Sequence, residues 1–295
     1  MIFDIVHKTH YRYRSTVVQS LHLVHMSPRA MPGQIVRHHS LLVEPAPASR
    51  QDGIDSLGNS YVILDIEEPH KELVLVARST VEKSPPPMLN LAATTAWDDL
   101  DYHLRATNDR DVGTLLFRCV SRLTIPTLEI ADYAAHSFPP ARPVLDGAMD
   151  LVMRIYNDFK FDPHATDVST PVTQVFAMRR GVCQDFAHLA LACFRSLRIP
   201  ARYVSGYLHT HPPVGRPKLQ GADASHAWIS VWSPEYGWVD LDPTNGILVR
   251  DEHVTVAIGR DYDDISPISG VLRGGGEHSV DVGVDVNMVA DATAG

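Results

Sequence analysis

The sequence predicts an α+β protein in which a small all-β domain precedes a core of helices and antiparallel sheet. Residues 1–84 contain runs of period-2 alternation, which is typical of antiparallel strands. Residues 183–197 carry apolar side chains at helical spacing, which predicts a helix with one buried face. Residues 226–242 contain two strand-like runs around a short polar turn, a pattern typical of a hairpin.

The composition indicates a globular chain and narrows the classes of function. The chain has 295 residues, of which 44% are hydrophobic and 21% charged, as in ordinary globular proteins. A formal net charge of −9 argues against nucleic acid and against an anionic membrane surface as partners. No apolar run reaches the roughly 18 residues that a membrane span needs. Asp4 stands where a signal peptide would have basic residues, and three cysteines give no disulfide framework. These features predict a cytoplasmic protein and leave its oligomeric state open.

The N-terminal region, residues 1–84, is predicted to be a small β-sandwich with a turn at Leu57-Gly58-Asn59. The strand-like runs in it are 3–13, 41–43, 61–64 and 73–76. Its histidines have no compact ligand spacing, so we interpret them as polar residues on strand faces rather than metal ligands. They are His7, His10, His22, His25, His38 and His39.

The run Ser84-Pro85-Pro86-Pro87 predicts a stiff break that ends the first domain. Residues 85–143 are predicted to be a connector that packs on the core. Cys119 lies in an apolar run of this connector, so we expect it to be buried by packing.

The second domain is predicted to span residues 144–295, including the C-terminal strands. One helix is expected from Leu145 to Phe159. A shorter helix should follow, with Thr170 as its cap, Pro171 at its first position and Gly181 at its end. Strands at 254–258 and at the alternating valines Val280, Val282, Val284 and Val286 are expected to complete the sheet of this domain.

Cys183 begins the central helix, and Pro200 sets the far limit of that helix. A thiol in the first turn faces unpaired backbone N–H groups and the positive end of the helix dipole. Both favour the thiolate, which is the nucleophilic form. From position alone, however, a small buried cysteine is the more common case. Cys193, ten positions further on, lies on the apolar face.

The hairpin brings a histidine close to a carboxylate. If residues 233–235 form a three-residue loop, His226 falls directly opposite Asp242 and points to the same face. A register shifted by two residues would place Thr244 opposite His226 and leave Asp242 diagonal. Asp240 has the same facing parity and is the second candidate carboxylate. With Cys183 these residues supply the parts of a Cys–His–Asp nucleophilic site. The alternative is a structural His–Asp pair and an unrelated cysteine.

Four motifs, in order and spacing, resemble the transglutaminase-like superfamily: residues 181–188, 201–207, 225–228 and 237–245. The resemblance covers about residues 145–250, and the region before residue 84 resembles the β-rich N-terminal domain of bacterial members. It implies a papain-like core with Cys183 as nucleophile, His226 as base and Asp242 as orienting residue. It implies no metal and no cofactor. The backbone amides of Cys183 and Gln184 are the candidate oxyanion donors.

The resemblance also implies chemistry on peptide or carboxamide bonds of a peptide or protein substrate, through a thioester. Water would then give hydrolysis, as in a protease or amidase, and an amine would give transglutamination. We expect hydrolysis, because bacterial members with these motifs are more often proteases. Two alternatives remain open: a non-catalytic interaction module on the same fold, and a metal hydrolase that uses His226, Asp242 and Cys183.

Three residues are candidates for substrate or oxyanion binding near the thiol: Gln184, Tyr207 and Trp228. Trp238 is a further aromatic residue that could wall a groove there. The alternative is that these strand aromatics belong to the core. His209 and His211 lie two apart, but no third ligand is nearby, so we predict no metal site there.

Overall fold

The computed structural model describes residues 1–106, 112–210 and 225–289. An all-β N-terminal unit packs on a unit of helices and antiparallel sheet, which confirms the predicted α+β class. None of the helices in the described ranges is long and apolar enough to cross a membrane. Of the two histidines considered above as metal ligands, His209 is described, whereas His211 lies outside the described residues.

The N-terminal unit begins with strands that contain all four predicted runs. They are β1 (Ile2–Val24), β2 (Gln34–Glu44), β3 (Ser49–Ile54), β4 (Ser60–Ile66) and β5 (His70–Lys83). The predicted turn between β3 and β4 is present, and Gly58 takes the left-handed conformation there with a φ of 80°.

Helices and strands mix through the rest of the chain. In order they are α1 (Leu100–Ala106), α2 (Val112–Leu116), α3 (Leu128–Ala135), α4 (Val144–Asp158), β6 (Lys160–Phe161), α5 (Val172–Met178), β7 (Arg180–Gly181), α6 (Cys183–Ser196), β8 (Ala201–Leu208), β9 (Ser225–Ser233), β10 (Gly237–Asp242), β11 (Ile247–Leu248), β12 (His253–Gly259), β13 (Ile268–Gly274) and β14 (His278–Val289). Short 3₁₀ helices occur at Leu91–Ala93, Trp97–Asp99 and Tyr262–Asp264.

Strand β1 organises the N-terminal sheet. Its 23 residues serve two halves of the sheet: the first half pairs with β5 and β14, and the second half pairs with β4 and β13. A register shift between Arg12 and Val17 separates the halves. The described strands of this unit therefore form one continuous seven-stranded sheet rather than the two separate sheets of a simple sandwich, because β1 runs through the shift. As in a sandwich, strands of the two halves share a buried core, which includes Leu64 of β4 and Leu75 of β5.

The placement of the C-terminal strands also differs from the prediction. β12 does belong to the second domain's sheet, but β13 and β14 pair antiparallel with β1 in the N-terminal sheet. Alternation specifies that a segment is a strand and which faces it has, but it does not specify the partner. The N-terminal sheet is thus built from both ends of the chain.

The second sheet has the order β11-β10-β9-β8-β12, and α6 lies against β8 and β9. Most of α6 is buried, together with residues of α3 and α4. The N-terminal sheet contributes Phe3, Ile5, Val284 and Val286 to this same core. The two units are therefore joined by a shared apolar core rather than by a linker alone.

The predicted helix at 145–159 is confirmed as α4, whereas α5 differs in its ends. Pro171 is the N-cap of α5 rather than its first residue, and Arg179 ends the helix in the left-handed conformation with a φ of 55°. Gly181 has another role, because a Cβ there would lie 2.6 Å from Oδ2 of Asp185. The glycine allows Asp185 to approach the backbone in front of α6.

Candidate active site

Cys183 is the first residue of α6, as the sequence predicts. The carboxylate of Asp185 accepts hydrogen bonds from the Val182 N–H at 2.8 Å and from the Thr166 hydroxyl at 2.6 Å. These bonds fix the entry of the chain into the helix. The thiol therefore lies at the N-terminal end of α6, where the first backbone N–H groups have no intrahelical partners.

The three cysteines occupy different environments. Cys183 is half-buried, and Cys193 is buried. Burial raises the pKa of Cys193 to about 12, although Arg154 and Arg179 oppose this rise. Cys119 is exposed, so the expectation that packing buries it is wrong. The cause is local: α2 ends at Leu116, and Cys119 lies in the turn after it.

His226 lies between the thiol and a buried carboxylate. Its Nε2 is 2.7 Å from Oδ2 of Asp242, and the Cys183 thiol is close enough to the ring to raise the pKa of His226. Burial by itself would lower the pKa of His226, but Asp242 and Cys183 together raise it to about 10. Because Nε2 faces Asp242, Nδ1 is the ring nitrogen left for the thiol. The arrangement favours an imidazolium beside Cys183 at neutral pH.

The hairpin reaches this arrangement through a register other than the one predicted. Ser233 pairs with Gly237 and Trp232 pairs with Trp238, so the loop is residues 234–236. Extending this register places Thr244, not Asp242, opposite His226, which is the alternative that the sequence left open. Gly237, with a φ of 67°, moves the turn one residue along. Asp242 reaches His226 diagonally from the same face.

Asp242 is fixed by the turn that it begins. Its Oδ1 accepts the backbone N–H groups of Thr244 at 2.9 Å and Asn245 at 3.2 Å. Its Oδ2 also accepts the Asn245 side-chain amide at 2.6 Å. Burial would raise the pKa of Asp242, but bonds from His226, His253 and Asn245 hold it well below its usual range. The carboxylate is therefore ionised and rigidly held.

Asp240, the second candidate carboxylate, lies two residues from this group. It pairs with Ser230 across the hairpin, and its Oδ2 accepts the indole N–H of Trp228 at 3.2 Å. The structure brings Asp242, and not Asp240, to His226.

His253 is a member of the site that sequence reasoning missed. It begins β12, it is buried, and its Nε2 lies 3.2 Å from Oδ2 of Asp242. Its Nδ1 has no hydrogen-bond partner among the described residues. In the sequence it is one histidine at the start of a strand, and only the pairing of β12 with β8 brings it to Asp242.

Within the described ranges, one group has ligand atoms that could hold a metal ion, because these atoms lie within 4.8 Å of one another: His226, Asp242 and His253. Both imidazole Nε2 atoms face the same carboxylate oxygen. A ring that donates its Nε2–H to Asp242 cannot bind a metal through that nitrogen. Metal binding and the hydrogen-bonded arrangement are therefore alternatives for the same atoms.

A cavity of about 310 Å³ opens at the thiol. Cys183, His226 and Gln184 line it, and so do residues of β1, β8 and β14. Tyr207 and Trp228 are buried and do not line it. The Tyr207 hydroxyl instead shares a hydrogen bond with Nδ1 of His7, a residue that lines the cavity. Trp228 packs near His226 and His253. Sequence reasoning did not identify the lining residues Tyr203, Ser205 and Tyr262.

The helix that carries Cys183 and the sheet that carries His226 and Asp242 define a papain-like α+β core. Residues 132–243 match the transglutaminase-like superfamily, and residues 3–82 match the bacterial transglutaminase-like N-terminal region. An uncharacterised protein of Mycobacterium tuberculosis is 40% identical over 291 residues, which are 96% of this chain and 92% of that protein. The chain belongs to the transglutaminase-like superfamily.

Two further proteins extend the comparison. A structure from Cytophaga hutchinsonii, described as a candidate cysteine protease, has a TM-score of 0.74 at 22% identity and covers 98% of this chain and 92% of its own. It shows the fold. A protein-glutamine gamma-glutamyltransferase of Pseudomonas aeruginosa is 32% identical over 124 residues, which are 37% of this chain and 19% of that protein.

Proposed function

We propose that this protein is a cysteine hydrolase of peptide or carboxamide bonds. The observation that carries the proposal is the position of the His226 ring, which bonds to the buried carboxylate of Asp242 and lines the same cavity as the Cys183 thiol. The buried Asp242 holds His226 in one orientation, and the thiol opens on a cavity large enough for part of a peptide.

The reaction would begin when the Cys183 thiolate attacks the substrate carbonyl. His226, protonated beside Asp242, gives its proton to the leaving amine as the C–N bond breaks, and a thioester remains. His226 then accepts a proton from water, which attacks the thioester and releases the acid and Cys183. The first-turn N–H groups of α6, those of Cys183 and Gln184, would stabilise the oxyanion.

Acyl transfer is the second candidate, supported by the similarity to the protein-glutamine gamma-glutamyltransferase of Pseudomonas aeruginosa. Both reactions use the same thioester, so the residues around Cys183 are compatible with either. The two differ in whether water or an amine resolves the thioester.

Mass spectrometry of a peptide mixture, incubated with and without added methylamine, separates the candidates. Shortened peptides, or carboxamides converted to acids, support hydrolysis, and methylamine adducts support transfer. Cys183→Ala should abolish all products, whereas Cys119→Ser, at an exposed thiol, should change none. Activity that survives in Cys183→Ala would overturn the proposal. Activity lost on adding EDTA and restored by zinc would favour the metal hydrolase.

A further inference from the structure

One face of the N-terminal sheet extends beyond the core that it helps to form. Ile5 and His7 of β1 pair with Val286 and Val284 of β14, and this end of the face is buried. Since side chains alternate along a strand, the same face continues through Thr9 and Tyr11 of β1 and through Val282 and Val280 of β14. Thr9 pairs with Val282, and Tyr11 pairs with Val280.

The exposure of the four β14 valines changes sharply along this face. Val284 and Val286 are 1% and 0% exposed, whereas Val280 and Val282 are 48% and 54% exposed. The two exposed valines line the cavity that also contains Cys183. An apolar stripe is therefore covered at one end by the core and left open at the other end beside the candidate nucleophile. Apolar side chains that line a concave site are typical of a ligand-binding surface.

This side of the cavity is uncharged at neutral pH. Among the described residues that line the cavity there is no Asp, Glu, Lys or Arg. His7 is linked to Thr9 at 3.3 Å and to Tyr207 at 2.9 Å, and burial lowers its pKa to about 4. Burial, with Tyr13 and Tyr262 nearby, raises the pKa of Tyr11 to about 12. The polar groups of this side thus stay neutral.

We propose that one wall of the cavity binds an uncharged apolar side chain of the peptide whose carbonyl reaches Cys183. This substrate wall consists of Thr9, Tyr11, Val280 and Val282. The inference rests on the proposed function and names its substrate class. A charged side chain that bound there would lose its hydration, and no opposite charge on this wall would compensate for that loss. A cavity of about 310 Å³ is at the lower end of ligand-site sizes and suits one large side chain with its flanking main chain.

A set of thiol reagents tests the wall without requiring turnover. The reagents are iodoacetamide, N-hexyl iodoacetamide and N-(5-carboxypentyl) iodoacetamide, whose last two members differ in a terminal charge. Cys119, exposed in the same chain, is the internal reference. At Cys183 the rate of labelling by the hexyl reagent, divided by the rate with iodoacetamide, should be about tenfold larger than the same ratio at Cys119. For the carboxylate reagent this ratio should be the same at both cysteines. If the ratio of the hexyl rate to the iodoacetamide rate is equal at the two cysteines, the proposed substrate wall is contradicted.

Variants locate the effect on one face of β14. Val282→Asp and Val280→Asp should each remove the hexyl preference, because they add a charge to the wall. Ser279→Asp adds the same charge to the opposite, exposed face of the strand and should keep the preference. Both valines are about half exposed, so the fold should tolerate these changes. A preference that survives in both valine variants would contradict the proposal.

The two proposals fail in different ways. If Cys183 reacts with iodoacetamide no faster than Cys119 at pH 6, the proposed function loses its nucleophile. The ratios between reagents can still be measured at pH 9, where accessible thiols react, and those ratios alone decide whether the wall selects apolar groups.

Discussion

The Nε2 of His253 lies 3.2 Å from Oδ2 of Asp242, the same oxygen that the His226 ring approaches at 2.7 Å. Both His253 and Asp242 are buried. Two imidazoles from different strands therefore converge on one carboxylate oxygen, and the turn after Asp242 supplies three further hydrogen bonds. The position of the Asp242 carboxylate is therefore set by His253, Thr244 and Asn245 as well as by His226.

His253→Phe should reduce kcat about tenfold and leave KM nearly unchanged, because the lost hydrogen bond orients Asp242 and does not contact substrate. His253→Gln keeps an N–H donor and should recover part of the rate. Steady-state kinetics of both variants provide the test. A raised KM at constant kcat, or an equal loss in both variants, would contradict the positioning role.

Asp242→Asn should reduce turnover severely, by about four orders of magnitude, since the amide can favour the wrong tautomer of His226. Asp240→Asn removes an acceptor from Trp228 and should keep most of the activity. Circular dichroism of both variants controls for folding. Comparable losses of activity in the two variants would show that the carboxylates act as a pair. That result would contradict the observed geometry, in which only Asp242 bonds to His226.

The His226–Asp242 pair should also give the stability a definite pH dependence. The folded-state pKa of His226 is about 10 against an ordinary 6.5, so its contribution is fully present below pH 6.5 and is lost as the pH rises toward 10. The pKa of Asp242 is lowered from 3.8, so its contribution is lost as the pH falls below about 4. The free energies of unfolding of the wild type and of His226→Gln, measured in urea, should differ most between about pH 4 and 6.5. A difference that grows from pH 6.5 to 10 would have the wrong sign.

Limited proteolysis should cut in the segment between β5 and α1 without separating the products. β14 pairs with β1, and the core contains Phe3 and Ile5 of the N-terminal unit with Val284 and Val286 of the C-terminal strand. The nicked chain should elute as one species in size-exclusion chromatography and separate only in denaturant. Free release of an N-terminal fragment would show that the shared core does not hold the units together.

Local patterns in the sequence predicted much of the fold, because period and capping are local properties. The helix at Cys183, the helix at 145–159 and the strands β2, β4 and β5 follow from them. The partner of β14 did not follow, since four alternating valines define a face and not a neighbour. The continuity of the N-terminal sheet did not follow either, since alternation does not show that β1 runs through a register shift and changes partners.

The candidate site was predicted in part. Cys183, His226 and Asp242 were named, but the hairpin register was displaced by two residues because the left-handed Gly237 was not recognised as the end of the turn. His253 was missed because its contact depends on which strand lies beside β8. Tyr11, Val280 and Val282 were seen only as strand residues, since their place beside the thiol requires the N-terminal sheet to lie against the core.

The central claim is that Cys183 is a nucleophile activated by His226. An ordinary cysteine is only about 0.3% thiolate at pH 6. Cys183 begins α6 and lines the same cavity as His226, a setting in which a base can activate a cysteine as a nucleophile. Cys119 is an exposed reference in the same chain, and Cys193 is a buried one.

Labelling with iodoacetamide at pH 6, followed by peptide mapping, measures the claim most directly. Cys183 should be labelled about a hundredfold faster than Cys119, and Cys193 should not be labelled. His226→Ala should remove most of the advantage of Cys183. Labelling of Cys183 at the rate of Cys119, in the wild type and in His226→Ala alike, would contradict the claim.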